Sequence, residues 1–219
     1  MRMTKYGHAC VRLEKDGRSL VIDPGELTPE AEATDGVDAV LITHQHEDHF
    51  SFDKLRATPA AVYTSAGMVR RLEELDDARE PDDAQKLDRE NIHAVRDGDT
   101  FEVAGFRVRV IGEKHHFSHP DFPPVDNVGF LVDDVVFHPG DALTQVEVPT
   151  LLLPGQAPWL TVPMMIEYLR TVAPERAFAI HDGLVNEIGL AVLDDVLAME
   201  AERAGREYRR PAVGESVEL

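Results

Sequence analysis

Residues 37–43 form a near-continuous apolar run that ends abruptly in His44-Gln45-His46-Glu47-Asp48-His49. Such a run predicts a strand covered on both faces. A chain holding that strand must place apolar layers on both sides of a sheet, which points to a layered α/β fold. The polar cluster falls at the strand's carboxyl end, where side chains project into a crevice. Extended backbone points His44 and His46 the same way. Neutral imidazoles at that spacing chelate one divalent ion, and Asp48 and His49, past the bend, can face a second ion beside it. Zinc accepts this mixture of nitrogen and oxygen ligands at about 2.0–2.2 Å. The bland alternative is a solvated histidine-rich turn. Four candidate ligands packed into one turn after a buried strand favour the metal.

The rest of the chain supplies the layers. Residues 8–13 and 19–22 read as a hairpin around Lys15-Asp16-Gly17, stopped by Asp23-Pro24-Gly25. Further strands are predicted at 61–64, 92–95, 99–103, 106–111, 128–132, 135–138, 151–153 and 177–180, with 217–219 closing an edge. Helices are predicted around Phe52, Leu55 and Arg56, from Ser65 as cap to about Leu75, over 163–172 behind a proline, and over 188–204. In the last, Leu190, Leu193, Leu197 and Ala201 form one apolar stripe for the core. The acidic stretch 76–90 reads as a solvated loop. Residues 112–126, with three prolines and three histidines, read as a long loop of the kind that carries function. The order suits two sheets with helices on their outer faces. No linker divides it, so one domain over 1–219 is expected.

Composition removes several classes. Lysine and arginine number 22 against 41 aspartate and glutamate, a formal charge of −19. That argues against a nucleic-acid binder with a basic stripe and against a partner on an anionic membrane. The single cysteine, Cys10, excludes an internal disulfide and a cysteine-rich zinc site. No stretch of about 18 apolar residues is present to span a membrane. The first residues lack a signal peptide's apolar core, so the cytoplasm is the expected compartment.

Thr43-His44-Gln45-His46-Glu47-Asp48-His49 resembles the T-H-x-H-x-D-H motif of the metallo-β-lactamase superfamily. Asp23, in Val21-Ile22-Asp23-Pro24, resembles the superfamily's first motif. Asp141, in Phe137-His138-Pro139-Gly140-Asp141, resembles its G-D motif, and His181, after a predicted strand, its last. The resemblance implies an α/β fold of the αββα four-layer sandwich type, with two metal ions at one edge between the sheets. It implies that His44, His46 and a later histidine hold one ion, that Asp48, His49 and His181 hold the other, and that Asp141 bridges them. It gives Asp23 a place behind a ligand, holding an imidazole in the right tautomer. Among His115, His116 and His119, His115 follows strand 106–111 most directly and is the expected ligand, with His116 next. Tyr6-Gly7-His8-Ala9-Cys10 resembles a small cytoplasmic metal-dependent hydrolase branch that includes ascorbate-phosphate lactonases and relatives of an N-acylphosphatidylethanolamine phospholipase D.

By the same resemblance the chain is expected to be a hydrolase. A hydroxide activated by two divalent ions would attack a small-molecule ester, lactone or phosphodiester. Asp48 would orient that nucleophile or take its proton. Zinc suits the ligands first, and manganese or iron also fit. A thioesterase, a nuclease-like phosphodiesterase and a non-catalytic metal protein of the same fold stand as alternatives. Many true β-lactamases of the superfamily use a cysteine ligand, which Cys10 is badly placed to supply. Substrate, native metal and self-association are left open. His8 and His138 are expected behind the ligands or at the substrate pocket, and Trp159 as packing. Phe117, His119, Phe122 and the neighbouring prolines are read as a lid or a plain surface loop. His93 is read as structural, and Cys10 as non-catalytic.

Overall fold

The computed structural model describes residues 1–29, 31–78, 86–116 and 119–219. β1 (Arg2–Gly7), β2 (Cys10–Lys15) and β3 (Arg18–Ile22) form an antiparallel meander. β4 (Ala39–Ile42), β5 (Ala61–Ser65) and β6 (Ile92–Val95) extend it in parallel, with α1 (Phe52–Ala57) and α2 (Ala66–Asp77) as crossovers. The second sheet repeats the plan. β7 (Thr100–Val103), β8 (Phe106–Ile111), β9 (Gly129–Val132) and β10 (Val136–His138) are antiparallel. β11 (Thr150–Pro154), β12 (Arg176–Ile180) and β13 (Glu207–Arg209) follow in parallel, with α3 (Val162–Val172) and α4 (Glu187–Ala204) between them. β14 (Ser216–Glu218) returns to the first sheet beside β1.

Alternation along the strands divides the apolar residues among three layers. On β4, Ala39 and Leu41 join the layer between the sheets, where Leu20, Ile22, Phe106, Phe130 and Phe178 also lie. Val40 and Ile42 turn the other way, against Leu55 of α1 and Met68 and Leu72 of α2. Leu151 and Leu153 of β11 meet Met165 and Leu169 of α3 and Leu193 and Leu197 of α4. A strand buried on both faces reads as continuously apolar for this reason. The result is an αββα four-layer sandwich. α2, α3 and α4 begin at side-chain caps: Ser65 accepts from the Met68 N–H, Thr161 from Met164 and Asn186 from Gly189. Among the described residues, no helix is long and apolar enough to cross a membrane.

Three local expectations differ from what is observed. The opening is a three-stranded meander and not a hairpin, because Arg2–Gly7 is a strand. Its pattern is hidden by Lys5, which is fully buried and bonds Asp182 at 2.5 Å and the Ala179 carbonyl at 3.3 Å. His8 therefore lies in the β1–β2 turn and not in a strand. The stretch 76–90 is not simply a solvated loop. Asp76 is buried in the last turn of α2 and accepts from the Leu87 N–H and Arg89, while residues 79–85 lie outside the described residues. β13 is too short and charged to show in the sequence, since only Tyr208 of its three residues is buried.

Candidate metal centre

The ends of β3, β4, β10 and β12 meet at one edge of the sandwich, and each carries a functional side chain just beyond its last residue. Asp23 follows β3 at φ 51 and is fully buried. Its Oδ1 accepts from the Thr43 N–H at 2.8 Å, and its Oδ2 accepts from the Thr43 hydroxyl at 2.7 Å and from His49 Nδ1 at 2.7 Å. His49 is thus held with Nδ1 protonated and Nε2 facing the cleft. The Thr43 hydroxyl, having given its proton to Asp23, presents a lone pair to His44 Nδ1 at 3.0 Å. That fixes the same tautomer on His44. The loop 23–25 runs so close to the cluster that a Cβ on Gly25 would lie 2.0 Å from the Asp48 carbonyl oxygen. Glycine is the residue that permits that approach.

The second sheet supplies the opposite wall. Gly140 turns at φ +61, where a Cβ would strike Asn127 and Thr43. Asn127 then fixes the following residue: its Oδ1 accepts from the Asp141 N–H at 2.9 Å and its Nδ2 donates to the Pro139 carbonyl at 2.9 Å. His181, at φ 59, donates from Nδ1 to the Gln156 carbonyl. His115 donates from Nδ1 to the His116 carbonyl at 2.7 Å. In each case the backbone holds one ring nitrogen and leaves Nε2 for the site, the usual support behind a metal-binding imidazole.

The expected ligands converge in two groups. His44, His46, His115 and Asp141 form one, and Asp48, His49 and His181, with His8, form the other, all ligand atoms within each group lying within 4.8 Å of one another. Asp141 reaches toward both: Oδ1 is 3.1 Å from His49 Nε2 and 3.1 Å from His181 Nε2, and Oδ2 is 3.3 Å from His115 Nε2. These contacts are close, yet their angles are not those of hydrogen bonds. Among the described residues, His49 Nε2, His115 Nε2, His181 Nε2 and Asp141 Oδ1 are buried without a hydrogen-bond partner. Unpaired buried polar atoms are costly, about 1–3 kcal/mol each. Four of them aimed at one region fit a site built for cations.

The imidazoles divide by their electrostatic surroundings. Burial holds His44 well below the ordinary histidine pKa, and nearby His49 adds to this; burial and His115 likewise lower His46. Burial opposes charge on His181, but the Asp141 carboxylate and the contact with Asp48 outweigh it and raise the group to about 9. His49 is also raised, because Asp141 and Asp23 overcome its burial. Burial favours the neutral acid at Asp141 and Asp48, yet the surrounding imidazoles hold both well below the carboxylate range.

The remaining sequence expectations separate. His116 packs against Trp159 at a tilt of 32°, with ring centroids 4.8 Å apart, and stays outside both ligand groups. Trp159 does more than pack: its indole N–H donates to Asp141 Oδ2 at 2.9 Å. Asn127 was not singled out by any motif, and a lone buried Asn in a loop carries no sequence signal. His138 donates from Nε2 to the Ala9 carbonyl at 2.9 Å and accepts from the Gly140 N–H at 3.1 Å, so both its nitrogens are used away from the clefts. Cys10 is buried, and burial pushes its thiol up to about 12. A cleft of about 770 Å³ opens over the cluster, walled by Phe122, Pro123, Pro158, Trp159 and Leu184. His119 and Phe122 lie on its exposed loop; Phe117 lies outside the described residues.

Residues 2–181 match the beta-lactamase superfamily domain. With the fold and the motif order above, this places the chain in the β-lactamase superfamily. Among its relatives, Protein Rv0786c of Mycobacterium tuberculosis is 35% identical over 196 residues, covering 84% of this chain and 85% of its own. A UPF0173 metal-dependent hydrolase of Methanocaldococcus jannaschii is 25% identical, covering 99% of this chain and 100% of its own. In fold the chain is similar to Igni18, a metallo hydrolase of the archaeon Ignicoccus hospitalis. There the TM-score is 0.69 at 20% identity, over 99% of this chain and 97% of that one.

Proposed function

We propose that this chain is a metal-dependent hydrolase acting on a small-molecule ester, lactone or phosphodiester with two divalent ions. His44, His46 and His115 would hold one ion, Asp48, His49 and His181 the other, and Asp141 both. The observation that carries this reading is Asp141, whose two oxygens face opposite ligand groups while the buried nitrogens around it have no hydrogen-bond partner. Zinc suits a set of five imidazoles and two carboxylates best. When bound, such ions supply water of pKa lowered towards about 7 and a Lewis acid for the substrate oxygen.

The chain's own residues do the rest. Asp23, Thr43 and the Gln156 and His116 carbonyls hold the Nδ1 side of His49, His44, His181 and His115, so these four rings are already oriented, whereas His44 Nε2 and His46 Nδ1 pair with each other at 3.0 Å and would have to part for an ion. Asp48, held strongly ionised beside His181 and His8, is a better orienting acceptor than a proton store. Trp159 holds one oxygen of Asp141. Phe122, Trp159 and Leu184 give the cleft an apolar wall, which suits an acyl or aromatic portion of the substrate and limits water.

Elemental analysis paired with a screen of model esters, lactones, thioesters and bis-p-nitrophenyl phosphate tests the reading. Two ions per chain and turnover of one class are expected. His46→Ala should lose at least one equivalent of metal and nearly all turnover. Asp141→Ala should disturb both ions. Full metal content in His46→Ala, or full turnover in Asp141→Ala, overturns the assignment.

A further inference from the structure

His8 lies within ligand distance of Asp48, His49 and His181, so proximity alone would count it as a fourth ligand of that group. Its hydrogen bonds say otherwise. The Gly183 N–H donates to His8 Nδ1 at 3.0 Å, which places the ring's lone pair on Nδ1. A neutral imidazole carries its single proton on the other nitrogen, and His8 Nε2 lies 3.1 Å from Asp48 Oδ2. Nε2 is then a donor with no lone pair to offer a cation. The backbone around it is tied to the same spot. The His8 carbonyl accepts from the His181 N–H at 2.8 Å, and the His8 and His181 rings pack with centroids 4.0 Å apart. His8 itself is 2% exposed and sits in the left-handed region at φ 47. A non-glycine residue there is strained by about 1–3 kcal/mol and persists only where its surroundings over-determine it.

We infer that His8 is a positioning residue: a neutral Nε2–H donor, locked by the Gly183 amide, that fixes the Asp48 carboxylate and ties the first sheet to the His181 loop. This rests on the ligand assignment proposed above. It excludes His8 from the coordination shell and gives the Gly7-His8 turn a role in the metal centre. Oδ2 of Asp48, held by His8, cannot swing away when the second ion is absent, so the ligand is in place before the cation arrives.

The test uses the full chain, stripped of metal and reloaded with zinc. His8→Asn keeps an amide oxygen near the Nδ1 position and tolerates the left-handed backbone, but it is too short to reach Asp48. His8→Gln presents an acceptor and a donor on one longer amide. Zinc affinity is read by competition with a chelator, followed through the fluorescence of Trp159, the only tryptophan in the chain. His8→Asn should bind one of the two ions at least tenfold more weakly, with the melting temperature of the metal-free protein little changed, and His8→Gln should recover most of the loss. Equal zinc affinity in His8→Asn and wild type overturns the proposal, as does a His8→Gln variant as weak as His8→Asn. Imidazole ¹H–¹⁵N spectra of the wild-type chain read the proton directly and do not depend on any variant folding. A proton on Nε2 is expected, and a proton on Nδ1 refutes the inference. If the wild type takes up no zinc, the ligand assignment falls, and the same spectrum still decides the state of His8.

Discussion

Replacing Asp23 by asparagine tests the buried support of the site most directly. The carboxylate is fully buried and accepts three hydrogen bonds, from the Thr43 N–H, the Thr43 hydroxyl and His49 Nδ1. Asparagine has nearly the same shape, but one oxygen becomes an NH₂ donor. Turned toward Oδ2, that donor meets two donors. Turned toward Oδ1, it meets one, so the second orientation wins and leaves the Thr43 N–H unpaired. An unpaired buried donor costs about 1–3 kcal/mol, and two bonds to a charged acceptor become bonds to a neutral one, at about 1 kcal/mol each. The expected loss is about 3–5 kcal/mol, a large part of the 5–15 kcal/mol typical of a folded domain. Denaturant unfolding of the metal-free chain measures it. A double-mutant cycle with His49→Ala separates the His49 share, with a coupling of about 1–3 kcal/mol expected for groups in direct contact. A loss below about 1 kcal/mol, or a coupling within about 0.5 kcal/mol of zero, would refute the account of Asp23 as the clamp on His49.

His115→Ala should lower metal content while His116→Ala leaves it unchanged, and elemental analysis showing the reverse would exchange their roles. Trp159→Phe removes the indole donor to Asp141 and should weaken zinc binding about tenfold by chelator competition, the size of one hydrogen bond to a charged group. Glu200→Gln tests pH dependence away from the metal centre. Glu200 receives Arg170 of α3 and Arg203 of α4, and Arg170 first among these partners lowers its pKa to about 2. A folded pKa below the unfolded one means that this stability is fully present above about 4.3 and is lost as pH falls through about 2. Because both arginines are half in solvent, the contribution is about 1–2 kcal/mol. The variant should be less stable than wild type at pH 7 and converge with it near pH 2, so parallel melting curves across that range would exclude the clamp.

Much of this fold was legible because its signals are local. The run ending at Thr43, the cap at Ser65 and the stripe on α4 each declare themselves within a dozen residues. β1 was not legible because its buried Lys5 is explained by the Ala179 carbonyl and Asp182, far away in sequence, on and just beyond β12 of the other sheet. The proposed ligands could be picked out because motifs mark them, and they do converge. Their supports could not. Asn127 and Trp159 act on Asp141 through contacts that exist only after the second sheet has folded. The tautomer of His8 is decided by the Gly183 amide, and no spacing rule connects those two positions.

The repeated plan of the two sheets explains why two aspartates with similar surroundings divide their labour. β3 and β10 occupy matching places, each the last antiparallel strand before the parallel set, and Asp23 and Asp141 lie just beyond them. Both approach His49, Asp23 at Nδ1 and 2.7 Å, Asp141 at Nε2 and 3.1 Å. What differs is the company each oxygen keeps. Every acceptor of Asp23 is spent on Thr43 and His49, so it has nothing left for a cation. Asp141 takes its backbone support through its own N–H and gives one oxygen to Trp159, and Oδ1 has no hydrogen bond. A carboxylate held by its backbone keeps its oxygens for a ligand, whereas one that holds its neighbours does not. The division between clamp and proposed bridge therefore follows from where Thr43 and Asn127 place their donors and acceptors, and not from any difference between the two aspartates themselves.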